Sequence, residues 1–569
     1  MKKTLLTSFL LIIGFVNAQT FVPTTAQNKK VILEEFTGVN CVFCPQGHTI
    51  ANNIKNADPN NVFLINIHVG GFATPGAGQP DFRTSFGTAI AGQSGLTGYP
   101  AGTVNRSVFA GLQQGAAGTT AMSRNNWSSA STTTKGQSSY VNVALQASIN
   151  VQTNVLTVTV ESYYTGTSPV ATNKLNVALL QNNTLGPQTG GNMGNNYNHQ
   201  HRLVHMLTGQ WGTTISSTTT GSFNTQTFTY TIPAAYNDVP TELADMELVA
   251  FVSETEQKII SGNGAKPTFT GLLANDIEVK SILPIADQCS SAFAPKIKIQ
   301  NKSQNNLTNL TINYSYNGGT NQVYNWTGNL TPMGISEVQL PISSFSLLPT
   351  NTLSVSVPND DNNSNNVVSS NFNKAAEAVN TNITIKISTD QYGSETTWNL
   401  KNGAGTIVAQ GGPYSDAGSG AYPQPDVNVT LPFDCYTFTI ADSYGDGMCC
   451  AYGNGGYQIL ANNVLIAGMS GGAFGTGETK KFAVVNPLSV SDFELNSIRF
   501  YPNPTTGIVT ISLFEESTVS VIDLSGKQVM IKNLEMGEAT LDMSSLTKGM
   551  YLIQVTGENY TKTEKIILN

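Results

Sequence analysis

The sequence predicts a multi-domain, mainly β protein, with one α/β domain near its N-terminus followed by several antiparallel β-sandwich domains. Three observations lead there. At 569 residues the chain exceeds the roughly 250–300 residues at which single hydrophobic cores stop growing. Only 11% of its residues are charged, while Gly, Asn, Ser and Thr abound, which suits short strands joined by turns and not helical bundles. Beyond about residue 135, apolar positions recur with period two, the spacing of half-buried strands.

The first element is an export signal. Lys2 and Lys3 precede an apolar run over residues 5–16, and Ala18 offers a small residue for cleavage, so residues 1–18 read as a signal peptide and Gln19 as the mature start. The run is too short for a bilayer, which needs about 20 residues, and no later segment is long and apolar enough, so no transmembrane segment is expected in the mature chain. The formal charge of −8 and the lack of a basic stripe exclude a nucleic-acid partner. Six cysteines, an even number after a signal, are compatible with disulfides formed in an oxidising compartment.

Residues 31–36 then read as a strand. Residues 43–54 have helical spacing with Asn40 as cap, 62–69 form a buried central strand, 84–95 a helix and 103–109 a third strand. This alternation predicts an α/β domain over 28–135. A β-sandwich follows over 136–281, with strands near 138–147, 155–164, 174–180, 225–232 and 248–255 and a Gly- and Asn-rich loop at 188–201. A second, immunoglobulin-like sandwich covers 282–373. Its 359–366 run is polar and acidic like a calcium loop but lacks the glycine such a loop needs, and reads as a plain turn. A Gly-, Asp- and Cys-containing β domain spans 382–485, and a last domain spans 488–569.

The strongest chemical signal is Cys41-Val42-Phe43-Cys44, set between a strand that ends in Glu35 and Phe36 and a helix that opens at Pro45. Unpaired N–H groups and the dipole at a helix start stabilise a thiolate, and a second sulfur close by can displace a mixed disulfide. Together with Gly47 and His48, these residues resemble the thioredoxin-like superfamily, in the version fused to β domains in secreted Bacteroidetes outer-membrane-type proteins. The resemblance spans 28–135. It implies that Cys41 attacks, Cys44 resolves, Glu35 relays protons from the preceding strand, and Pro100 of Gly98-Tyr99-Pro100 is a cis-proline facing the cysteines. The sequence departs from the pattern at Asn40, where a Trp is usual, and at Val42-Phe43, which lacks the tuning Pro or His. A fixed disulfide at a helix start is the competing reading. Zinc is disfavoured, because structural zinc wants four ligands and one pair lies here. His48, one turn after Cys44, either faces this site or the surface. His199, His201 and His205 cluster around Arg202 without a nearby acid or cysteine, and read as a loop leading into a strand, not a metal site.

In the 382–485 domain, Cys435 and Tyr436 lead into Asp442, Gly445, Asp446, Gly447, Cys449 and Cys450. With Trp398, these resemble a β-sandwich repeat common on secreted bacterial proteins. Its glycines permit positive φ in a tight loop. The expected pairing is Cys435 with Cys449 or Cys450, the remaining sulfur reaching Cys289 or staying free. Asp390, Asp442 and Asp446 are candidate oxygen ligands for calcium, or else turn-capping carboxylates. No other cofactor is expected.

At the C-terminus, Tyr501-Pro502-Asn503-Pro504 and Gly507 open a series of alternating strands that closes on Lys562 and Lys565. Across about 75 residues this order is similar to the type IX secretion sorting domain, which implies the outer-membrane secretion machinery as partner. The chain is thus expected to be secreted or held at the outer cell surface after export to the periplasm. Two functions are expected: thiol–disulfide exchange by the head, or non-catalytic adhesion to an extracellular protein or glycan. No nucleophile elbow, a Gly-x-Ser-x-Gly turn leading from a strand into a helix, is read in the sequence, nor a zinc-protease helix motif or an obvious carboxylate pair, which disfavours a hydrolase.

Overall fold

The structure, a computed structural model, describes residues 21–569 apart from 77, 192, 450–451, 487–497 and 558–559. The expected signal peptide, Cys450 and the first residues of the last expected domain lie outside the described residues.

Strand β1 (Val31–Thr37) pairs in parallel with β2 (Val62–His68) and antiparallel with β3 (Ala101–Val104), which meets the short β4 (Met122–Ser123). Every residue of β1 and β2 is buried, because their alternate side chains feed two cores. Val31, Leu33, Val62 and Leu64 pack with helices α1 (Cys44–Ala57) and α3 (Trp127–Lys135). Ile32, Phe36, Ile65 and Ile67 point the other way, toward α2 (Ser85–Ser94) and the strands beyond. Helix α3 is not foreshadowed by its Ser- and Thr-rich sequence. Trp127 and Ala130 anchor it in the core, and Thr132, Thr133 and Thr134 donate their hydroxyls to carbonyls four residues back.

The third strand ends at Val104, earlier than expected, because Asn105 and Arg106 take left-handed φ of 49° and 43°. Asn105 Oδ1 accepts from the Ile32 N–H, and Arg106 turns inward to Glu34, with Nε donating to Oε2 at 2.8 Å.

The sheet does not stop where the α/β domain was expected to end, at 135/136. From β2 it continues through Arg202–Met206, Asn173–Gln181 and Met246–Ser253 to Ile259–Ala265. The reason is the outer edge of β2, buried on both faces and met within the first 135 residues by no strand, only by a single bridge from His68 to Arg83. Asn66 closes that edge: its N–H donates to His201 O at 2.8 Å and its side-chain amide to Gln200 O at 2.9 Å. A four-stranded sheet of Phe223–Thr231, Val155–Tyr164, Val141–Asn150 and Thr268–Thr270 packs against the continuation through Val158, Val160, Val177 and Leu248.

Three further β units follow, each with its own apolar cluster. Their first strands begin before the expected starts at 282 and 382: Ile277–Ile282 pairs with Lys296–Asn301, and Ala376–Ala378 with Gly477–Val484. In the polar turn at 359–366, Asp360 accepts from the Ile277 N–H and Asp361 from the Asn275 N–H. Their carboxylates serve the backbone as a plain turn requires. All three α-helices among the described residues lie before residue 136.

Candidate functional site

Cys41 and Cys44 are joined as a disulfide at the start of α1. Cys44 is the first helical residue and Phe43 the N-cap, with Pro45 just inside, where its missing N–H costs nothing. Asn40, the expected cap, instead donates its side-chain amide to Thr74 O at 2.7 Å. Both sulfur-bearing residues are buried, Cys41 at 3% exposure and Cys44 at 0%. The cover comes from residues 187–191, about 150 positions away in the chain. There Gln188 Nε2 donates to Gly38 O and Cys41 O, at 3.1 and 3.0 Å, and the Thr189 N–H donates to Val39 O at 2.7 Å. Gly190 has φ +77°, and a Cβ there would lie 2.3 Å from Val42 O, so only glycine allows this approach.

Glu35 is fully buried, and neither carboxylate oxygen has a hydrogen-bond partner. Burial pushes its pKa well above the ordinary carboxyl value, since desolvation disfavours the charged form. A Cβ on Gly47 would sit 2.7 Å from Glu35 Oε1 and 3.0 Å from Pro100 Cβ, so the acid, the second turn of α1 and the proline meet at one point. The Tyr99–Pro100 peptide is cis.

His48 belongs to this cluster and not to the surface. Its Nε2 lies 3.9 Å from Glu35 Oε1 and 2.9 Å from Thr37 Oγ1, and its Nδ1 lies 2.7 Å from the Tyr197 hydroxyl. Burial, then the neighbouring His199, lower its pKa to about 3. His199 is lowered to about 4, chiefly by burial. Its Nε2 lies 3.2 Å from Pro187 O, an acceptor only, so that nitrogen carries the proton and Nδ1 accepts from His68 Nε2 at 3.3 Å. The three histidines that the sequence places around Arg202 therefore separate. His199 joins His68 and His48, His201 Nδ1 pairs with Glu247 Oε2 at 2.7 Å, and His205 stacks on Tyr230 with ring centroids 4.3 Å apart. Sequence reasoning missed Gln188, Tyr197 and His68. Their signal is only the alternation of short strands, which says nothing of what they cover.

The acidic site differs from expectation by one residue. Glu395, Asp442 and Asp446 bring carboxylate oxygens within 4.8 Å of one another, while Asp390 accepts from the Tyr392 N–H at 2.9 Å and is outside that group. Burial, then the charges of Asp442 and Asp446, raise Glu395 to about 7, and burial leads the rise of Asp442 to about 6. Such a trio of oxygens suits a hard divalent cation such as calcium. Gly445 and Gly447, with φ of +97° and +77°, supply the tight loop that presents Asp446.

The expected Cys435 pairing with Cys449 or Cys450 is replaced by Cys289–Cys435. Cys435 is the second residue of the strand Asp434–Asp442, and the loop carrying Cys449 leaves its far end. Seven residues of strand put about 23 Å between Cys435 and Asp442, beyond disulfide reach. Cys449 is disulfide-bonded as well.

Comparison with known proteins gives two family matches. Residues 499–569 match the family described as "Secretion system C-terminal sorting domain", and residues 88–267 match "Outer membrane protein Omp28". No curated protein matches. Among solved structures the chain is similar to HBP35 of Porphyromonas gingivalis, at 17% identity over 61% of this chain and 98% of that one, with a TM-score of 0.33. It is also similar to a domain of the outer membrane lipoprotein Omp28 from Porphyromonas gingivalis, at 16% identity over 23% and 91%, with a TM-score of 0.18. The sorting domain, of the type IX system, makes this an exported protein of the cell surface or outer membrane that engages the secretion machinery. No helix among the described residues is long and apolar enough to cross a membrane.

Proposed function

We propose that the N-terminal head is a thioredoxin-like unit that exchanges disulfides on extracellular proteins. The observation that carries this reading is the Cys41–Cys44 disulfide at the first residue of α1, with the desolvated Glu35 and Pro100 meeting at Gly47 one turn on. In the oxidised form a substrate thiolate attacks Cys41 Sγ, forming a mixed disulfide and releasing the Cys44 thiolate. Glu35, held protonated by burial, supplies the proton to Cys44. A second substrate thiolate then displaces Cys41. Two electrons pass from the substrate dithiol to the protein, and the substrate leaves as a disulfide.

One observation favours a second reading, in which the pair is a fixed disulfide in a non-catalytic adhesion protein: Cys41 is 3% exposed beneath residues 187–191. The two readings separate in one experiment. A Cys44→Ser variant, whose Cys41 thiolate can attack a disulfide but has no second sulfur to release it, should trap a mixed disulfide with a disulfide-bonded protein, and wild type should oxidise the reduced form of that protein at a rate that Cys41→Ser abolishes. Equal, negligible rates in both, with no trapped adduct, sink the redox reading and leave adhesion.

A further inference from the structure

Arg202 is a buried cation without a counter-charge. It is 1% exposed, yet among the described residues no carboxylate pairs with its guanidinium. Its Nε reaches Thr184 Oγ1 at 3.4 Å, its Cζ lies 5.1 Å from the centre of the Phe82 ring, and its Nη2 has no acceptor. The other fully buried arginine, Arg106, shows what burial normally demands: both its Nε and Nη2 donate to Glu34. Leaving a guanidinium in low dielectric with no anion is strongly unfavourable.

The space beside Arg202 is built for the missing charge. A cavity of about 480 Å³ is lined by Arg202, Arg83, Ser85, Phe86, Thr88 and Tyr236. It opens on the N-terminus of α2. Thr84 caps the Gly87 N–H there, which leaves the Ser85 and Phe86 N–H groups without intrahelical acceptors, and the first turn carries no acidic residue. Arg83 is already matched by Asp81, whose carboxylate takes both Nε and Nη2 at 2.9 and 2.8 Å. The surplus charge is therefore that of Arg202, reinforced by the positive end of the helix dipole.

We propose that this cavity binds an oxyanion, the carboxylate, sulfate or phosphate group of a small ligand, with Arg202 as its buried anchor and the α2 amides as its second contact. The volume lies within the range of small-molecule sites and admits a group the size of one sugar ring. The site is separate from the cysteines, so it stands or falls independently of the redox reading.

Calorimetric titration of the mature chain with sodium sulfate, sodium phosphate and sodium glucuronate, each at constant ionic strength against chloride, tests the proposal and tells the three anions apart. Saturable binding of at least one is expected, and Arg202→Met should weaken it by about tenfold or more. Should Arg202→Met fail to fold, Thr88→Glu serves instead. It replaces an exposed residue of α2, places a carboxylate at the cavity wall, and should suppress binding of the added anion while raising Tm. No saturable binding of any of the three anions, or binding undiminished in Arg202→Met or Thr88→Glu, overturns the proposal.

Discussion

The two described disulfides of known pairing tie the chain in opposite ways. Cys41–Cys44 spans three positions at the start of one helix, whereas Cys289–Cys435 spans 146 and joins the segment after Ile277–Ile282 to the start of the strand Asp434–Asp442 in the next unit. The first sits among buried groups whose polar atoms are poorly matched: Glu35 has no partner for either oxygen, and His68 Nδ1 has none. The second lies half-buried at the edge of ordinary apolar cores. A bond that closes a long loop restricts the unfolded chain far more than one closing a single turn. The contrast teaches that holding shape suffices to explain the long bridge, while the short one is surrounded by desolvated acid and imidazole, the setting on which the proposed exchange depends.

The largest test of this contrast is removal of each bridge. Loss of Cys289–Cys435 through a double Ser variant should cost about 5 kcal/mol of stability, and loss of Cys41–Cys44 about 2 kcal/mol, both read from denaturant midpoints. Equal losses would break the comparison. Next, if the head is held by its ion pair and not by its disulfide, Arg106→Met should cost about 4 kcal/mol, because it strands the Glu34 carboxylate in the core. A loss smaller than that of the double Ser variant at Cys41 and Cys44 would return the structural role to the disulfide.

A third measurement concerns the seam that joins the head to the following strands. Burial raises the Glu247 pKa, but the His201 hydrogen bond and charge, with Lys55, outweigh it and bring the carboxyl to about 2. A depressed folded-state pKa gives stability that is present above the unfolded value of about 4.5 and lost as pH falls from there toward 2. Glu247→Gln should flatten that acid limb, which amounts to on the order of 3 kcal/mol. An unchanged limb would show that the pair holds nothing. The smallest effect is expected from calcium at the far end of the strand that starts beside Cys435. At tenfold over Kd it should stabilise the protein by about 1.4 kcal/mol, and Glu395→Gln should remove that gain. Calcium that leaves Tm unmoved in wild type would assign the trio to turn-capping.

Local patterns made β1, β2, α1 and α2 legible to within a few residues, since each buries a face whose period is written in the sequence. The cysteine motif announced a helix start for the same reason. What the sequence withheld depends on distant partners. Nothing in residues 62–68 says that Arg202–Met206 will close their edge, and nothing in 187–191 says that it will lie over Cys41. Glu395 enters the acidic trio because Thr396–Lys401 pairs with Asp434–Asp442 in a register that only the folded sheet fixes. The pairing of Cys435 with Cys449 or Cys450 rests on the resemblance to a β-sandwich repeat, whereas the length of its own strand carries the Cys449 loop to the far end. Helix α3 escaped because hydroxyl-rich segments read as loop until a tryptophan anchors them.

The edge closed by Asn66 has a practical outcome for anyone dividing this molecule. Expression of the first 135 residues alone would bare one side of β2, a Val-, Phe- and Ile-rich ribbon with unsatisfied amides, and such ribbons recruit copies of themselves into aggregates. A soluble fragment must run on to at least residue 265, where the strand Ile259–Ala265 completes the sheet.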